Sequence, residues 1–227
     1  MTWRLIVSPP ADGPSNMATD EALLNTYGEQ PGSQPVLRLY RWAAPCVTIG
    51  YFQKYADVDA GGLPVTRRLT GGLTVVHGKD ISYCLITGKE MWPSVYDQTE
   101  TYRLLHSVIE RVLQDMGIAA YHAAPSDAPH KGMVCVETVY QYDVMSGGRK
   151  IVGSCQRRRG ETILVQGSIH VPSLVDRAED VARLFTAHGG MMGADDMRRS
   201  VLSAREESVQ ALLVRETYGR EEWNRKF

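Results

Sequence analysis

Cys135 and Lys150 are the two residues whose types and spacing offer the most chemistry. Between them lie strand-like residues and the pair Gly147-Gly148, which reads as a hairpin turn because both residues can take positive φ. A thiol and an amine on adjacent strands can act together. A neutral amine takes the thiol's proton, whereas an ammonium stabilises a thiolate and a developing oxyanion. Such a pair can hold an acyl group as a thioester, which points to acyl transfer. The plain readings are a buried inert thiol and a solvated strand lysine. Cys155, directly after Ser154, is the rival nucleophile; Cys46 and Cys84 sit in apolar runs and read as inert. The period of two expected of a strand puts Lys150, Val152 and Ser154 on one face.

A second polar segment runs Arg67-Arg68-Leu69-Thr70-Gly71-Gly72 and on to His77. The bare amides of Gly71 and Gly72 can approach a phosphate or an acyl carbonyl. Arg67 and Arg68 offer charge-assisted donors. A hairpin turn flanked by solvated arginines fits the same spacing. His77 reads either as an orienting or acid–base group, or as a structural histidine at a strand end.

The elements that must position these groups follow from local pattern. Ser8 to Pro14 reads as a Pro/Gly loop after a first strand, and Asn16 as the cap of a helix through Tyr27. Val36–Trp42, Cys46–Gly50, Leu73–His77, Ile81–Thr87, Tyr140–Met145, Arg149–Ser154 and Thr162–Val171 read as strands. Asp97 and Glu100 open a helix in which Tyr102, Leu105, Ile109, Val112 and Met116 repeat at helical spacing, closed by Gly117. Ser173 and Asp176 open another helix, to about Thr186. Ser203 and Glu206 form a capping box for a last helix ending near Gly219. Irregular helices among clustered hairpins favour an α+β fold with a mixed β-sheet and flanking helices.

Bulk composition narrows the classes. A chain of 227 residues with net charge -1 suits one domain and gives no sign of nucleic-acid or membrane-surface binding. No apolar run is long enough to span a bilayer. The four cysteines contain no CxxC spacing, so no metal site is expected and reduced thiols in a cytoplasmic protein are the simplest reading.

Taken in order, five segments resemble the biotin/lipoate protein ligase and octanoyltransferase superfamily. They are Asn16-Met17-Ala18 with Asp20-Glu21-Ala22; Leu37–Trp42 with Val47–Gln53; Arg67-Arg68 and Gly71-Gly72 through His77; Gly148–Ser154 with Gln156; and Gln166-Gly167-Ser168-Ile169. The resemblance is strongest to the LipM-type octanoyltransferases, because Cys135 precedes a Tyr142-Asp143 strand as their nucleophile does. It implies that residues 1–227 form a single catalytic domain without an accessory C-terminal domain. It implies Cys135 and Lys150 as catalytic residues, with Arg67, Arg68, Thr70, Gly71, Gly72, His77, Gly153 and Ser154 lining the acyl site. The implied reaction moves an octanoyl group from acyl carrier protein to a lysine of a lipoyl-domain protein or glycine-cleavage H protein. No cofactor is then needed beyond the carrier's phosphopantetheine, and the enzyme is expected to be a monomer. The alternatives are an ATP/Mg-dependent lipoate–protein ligase, a lipoyl or octanoyl amidotransferase, and a non-catalytic paralogue that binds acyl carriers. Leu73 stands where the ligases usually carry a third glycine, which argues against ATP use.

Overall fold

The structure is a computed structural model, and it describes residues 1–29, 33–89, 97–124 and 138–227. The first half runs β1 (Thr2–Val7), α1 (Gly13–Thr26), β2 (Val36–Tyr40), β3 (Cys46–Ile49), β4 (Val65–Arg67), β5 (Val75–His77), β6 (Ile81–Gly88) and α2 (Gln98–Asp115). The second runs β7 (Tyr121–His122), β8 (Val144–Ser146), β9 (Arg149–Arg159), β10 (Thr162–Ile169), α3 (Ala178–His188), β11 (Asp196–Ser200), α4 (Ala204–Leu213) and α5 (Glu221–Asn224). Eight strands form one mixed sheet in the order β11-β1-β2-β6-β10-β9-β8-β7, and β4-β3-β5 form a smaller one. The expected α+β mixed sheet with flanking helices is what forms.

All eight residues of β6 are buried, so both faces of the large sheet are covered. Tyr83 and Leu85 point into a core shared with Leu105, Ile109 and Val112 of α2 and Phe185 of α3. The alternate residues Cys84 and Ile86 join Met17, Leu23 and Leu24 of α1 on the opposite face. Among the described residues no helix is long and apolar enough to cross a membrane.

Several local expectations are corrected. Asp12, not Asn16, caps α1: its carboxylate accepts the Ser15 amide at 2.8 Å, and Pro14 sits in the first turn. Asn16 is buried inside the helix, where its amide donates to the carbonyls of Ala11 and Arg41. Residues Tyr140–Asp143 form a turn rather than the start of a strand, closed by the Asp143 amide donating to the Tyr140 carbonyl. Strands β4, β7 and β11 carry no strong pattern because each is short or polar, and α3 begins only after a 3-10 turn over Pro172–Arg177. Two caps are as read: Asp97 accepts the amides of Thr99 and Glu100, and Ser203 with Glu206 completes both arms of a capping box. The helix capped by Ser203 runs on into a π turn over Val214–Tyr218 and ends at Gly219, as read, with the short α5 following it.

Beneath α1 lies a fully buried ion pair. Arg38 on β2 donates to Asp20 at 2.6 Å and to the Asn16 side-chain oxygen at 2.8 Å. Tyr40 and the Gln166 amide donate to the second Asp20 oxygen. Removing one partner strands the other charge in the core. Arg38→Met is expected to cost about 3–5 kcal/mol, read as a lowered urea midpoint.

Candidate active site

A cleft opens between the two sheets, floored by β9 and β10 and roofed by β3, β5 and the loop after β4. Apolar atoms dominate its lining, with Met17, Tyr40, Trp42, Val75 and Val152 among the contributors.

Lys150 reaches this cleft because β9 is irregular. Val144 pairs with Val152 but Met145 pairs with Lys150, so Ile151 is an extra residue, a β-bulge. The bulge overturns the expected period of two. Val152 turns into the core under α2, while the Lys150 side chain folds over Gly153. A Cβ at Gly153 would lie 2.5 Å from Lys150 Cε and 2.8 Å from Nζ, so only glycine leaves room for the amine. The buried ammonium lies 2.8 Å from Asp143 Oδ2 and donates to the Thr138 carbonyl at 2.9 Å. Burial pushes the Asp143 carboxyl above its ordinary pKa, and the lysine charge and the Tyr140 amide offset this only in part. Cys135, the thiol expected beside Lys150, lies outside the described residues.

The other thiol of interest is on the cleft wall. Cys155 Sγ is 3.1 Å from Thr70 Oγ1. The Thr70 hydroxyl donates to Gln166 Oε1 at 2.8 Å, so the thiol's hydrogen is shared between Thr70 and the Gln166 main-chain carbonyl, 3.6 Å from the sulfur. Gln166 in turn donates to Asp20 at 2.7 Å. A continuous buried chain thus joins the Arg38–Asp20 pair to Cys155. Cys46 and Cys84 are buried as expected, and burial drives the Cys46 thiol up to about 12.

The Gly71-Gly72 segment is not a hairpin turn. Both β4 and β5 pair with β3, which lies between them, so the loop crosses over the end of β3. Arg68 holds it from inside, donating from Nη2 to the carbonyls of Gly71 and Leu73 at 2.7 and 2.8 Å. Gly72 has φ +92°, and a Cβ there would lie 2.9 Å from Arg68 Nη2. Arg68 Nε is a buried donor without a hydrogen-bond partner among the described residues, in a side chain that lines the cleft. Arg67 stands apart. Its guanidinium donates to the carbonyls of Gly50, Tyr51, Gln53, Trp223 and Asn224, so its role here is to clasp chain segments.

His77 forms part of the wall. It stacks on Trp42 at 4.0 Å, with Nδ1 2.9 Å from Asp80 and Nε2 2.9 Å from the Thr48 hydroxyl. Burial of Asp80 disfavours its charge, but His77, His170 and the Gly78 amide outweigh this and hold the carboxyl below its usual range. Every hydrogen-bonding position of the His77 ring is therefore used in holding the wall.

Sequence reasoning passed over His106, although it falls on the same helical stripe as Tyr102, Leu105 and Ile109. It is buried, and Ser154 Oγ lies 2.7 Å from its Nε2. Burial first, then His122 and Lys150, drive its pKa down to about 4 against the opposing hydrogen bond to the Tyr142 carbonyl, so the ring is neutral at pH 7. Below an unfolded pKa near 6.5 the unfolded chain binds a proton that the folded chain refuses. This contribution is fully present above about pH 6.5 and is lost as pH falls towards 4, amounting to about 3 kcal/mol. His106→Gln is expected to flatten the decline in unfolding free energy between pH 7 and pH 4 by that amount, measured by urea titration at both pH values.

Comparison with known proteins places this geometry in a family. The Lipoyl protein ligase A/B catalytic domain model matches residues 12–217. The octanoyltransferase LipM of Halalkalibacterium halodurans is 37% identical over 181 residues, covering 74% of this chain and 65% of that protein. The match therefore spans just under two thirds of that relative's length. The octanoyltransferase LipM of Carboxydothermus hydrogenoformans is 29% identical and matches over 100% of this chain and 99% of its own. Among solved structures, a lipoate-protein ligase A bound with ATP has a TM-score of 0.80 at 24% identity, covering 99% of both chains. A bi-partite lipoate protein ligase from Thermoplasma acidophilum has a TM-score of 0.77 at 23% identity, covering 99% of this chain and 96% of its own. These two establish the fold. The length matched by the family model shows that the chain belongs to the lipoyl protein ligase A/B catalytic domain family.

Proposed function

We propose that this protein is an octanoyltransferase that uses a cysteine thioester. The donor is octanoyl-acyl carrier protein, and the acceptor is a lysine of a lipoyl-domain protein or of a glycine-cleavage H protein. The observation that carries the reading is the buried Lys150 amine, paired with Asp143 on the wall of an apolar cleft. Membership of the family and likeness to proteins named octanoyltransferases support it.

In this mechanism the proton shared by the Lys150–Asp143 pair passes to the Asp143 carboxylate, which burial favours neutral, the neutral Lys150 amine takes the proton of Cys135, and the thiolate attacks the donor thioester. The carbon–sulfur bond to phosphopantetheine breaks, and that sulfur leaves with a proton. The acceptor amine then attacks the octanoyl-enzyme, an amide forms, and the Cys135 thiol is restored. An amide lies below a thioester in free energy, so the sequence needs no ATP. Arg68, with its spare Nε donor, and the Thr70–Gly72 loop bind near the carbonyl, while His77, Gly153 and Ser154 shape the wall. Lys150 contributes as a general base, a role worth about 10²–10⁴-fold in rate.

Cys155 supplies the competing nucleophile, since its sulfur lines the same cleft. Intact mass after incubation with octanoyl-acyl carrier protein separates the two. Wild type and Cys155→Ala are expected to gain one octanoyl group, and Cys135→Ala none. Transfer by Cys135→Ala is expected to fall by about 10⁴-fold. Acylation of Cys135→Ala, lost on adding Cys155→Ala, would move the nucleophile to Cys155.

A further inference from the structure

Tyr142 has φ +70°, the one left-handed non-glycine residue among those described. It occupies the third position of the Tyr140–Asp143 turn, where glycine is the residue that costs nothing. A bulky side chain persists there only if its surroundings hold it. His106 does so. Its Nδ1 lies 2.6 Å from the Tyr142 carbonyl oxygen, which can only accept, so Nδ1 carries the proton. The opposite ring nitrogen is engaged as well, 2.7 Å from Ser154 Oγ, while the Tyr83 hydroxyl lies 2.6 Å from that same oxygen. Tyr83 reaches this point across Gly167, where any Cβ would collide with its phenol ring. The imidazole is thus pinned at both nitrogens and delivers one donor to one strained peptide.

That peptide precedes Asp143. The turn is tied a second time by the Asp143 carboxylate, which accepts the Tyr140 amide at 2.7 Å through the oxygen facing Lys150 Nζ. In this left-handed turn the carboxylate meets the buried amine.

We infer that His106 is a positioning residue for Lys150: by holding the Tyr142 carbonyl it sets the turn that aims Asp143 at the amine. It reaches the reacting groups through three links and touches no substrate. The neutral state of the ring suits this task, because a fixed donor at Nδ1 is what the carbonyl requires. The inference rests on the proposed role of Lys150, but its structural core can be read without any acyl transfer.

The test uses the whole chain. His106→Gln keeps an acceptor near Ser154 and loses the Nδ1 donor; His106→Asn keeps the donor. Mass-spectrometric labelling with an amine-reactive ester reads the environment of Lys150 directly, with exposed Lys89 and Lys226 as internal standards. His106→Gln is expected to label Lys150 about tenfold faster than wild type, as expected of a locally opened site, with the standards unchanged. In the transfer assay kcat is expected to fall about 10–100-fold, the scale of a misplaced group, with KM little altered. Adding Tyr142→Gly should reverse both effects, because glycine holds the left-handed turn unaided; His106→Asn should also stay close to wild type in labelling. Unchanged Lys150 labelling in His106→Gln, or no rescue by Tyr142→Gly, overturns the inference. If wild type transfers no octanoyl group but the labelling pattern appears, the proposed reaction fails while the positioning stands.

Discussion

A lysine amine cannot be taken out of water without a partner, and the region around β9 is organised by that constraint. Asp143 supplies the opposite charge at 2.8 Å and Thr138 supplies a carbonyl. The bulge at Ile151 brings the side chain round to the cleft, and the bare Cα of Gly153 gives it somewhere to lie. None of these features stabilises the fold in isolation. A bulge interrupts a ladder, a glycine in a strand loosens it, and a buried ion pair seldom outperforms a packed hydrophobe. Their convergence on one amine is what the proposed role of Lys150 accounts for.

The second organising feature is the polar chain that runs through the core on the opposite side of the cleft. Arg38, Asp20, Gln166, Thr70 and Cys155 are linked by successive hydrogen bonds from β2 through α1 and β10 to the loop after β4. Each member depends on the next for its partner, so the chain holds the helix, the large sheet and the cleft loop in one register. The cleft has a wall on each side built in the same manner: His77 is held between Asp80 and Thr48 opposite the Lys150 pair.

How much of this was legible in the sequence depended on range. The central strands of the large sheet announce themselves because β6 is a largely apolar run and β10 carries Ile163-Leu164-Val165, and the caps at Asp97 and Ser203 lie within a few residues of what they cap. Lys150, Gly153, Ser154 and the Gly71-Gly72 pair were visible as motifs. Their partners were not. Asn16 looks like a cap because asparagine prefers caps, but a buried arginine from another strand claims its side chain. Strand faces around Lys150 could not be counted correctly, because a bulge leaves no mark in composition. Arg67 and Arg68 are adjacent and identical in type, yet one clasps backbone and the other lines the cleft; only tertiary placement divides them. His106 is masked by its surroundings, since a histidine in an apolar helical stripe reads as packing.

The clasp made by Arg67 bears on the order in which the molecule is completed. Its acceptors include the carbonyl of Asn224, 157 positions further along the chain. At ordinary rates of synthesis that residue emerges roughly 10–30 s after Arg67. Until then the guanidinium beside the small sheet lacks part of its set of acceptors. The large sheet faces the same wait at its other margin, since β11 joins β1 from the far end of the chain. Both margins therefore stay open until the later segments that complete them have been made.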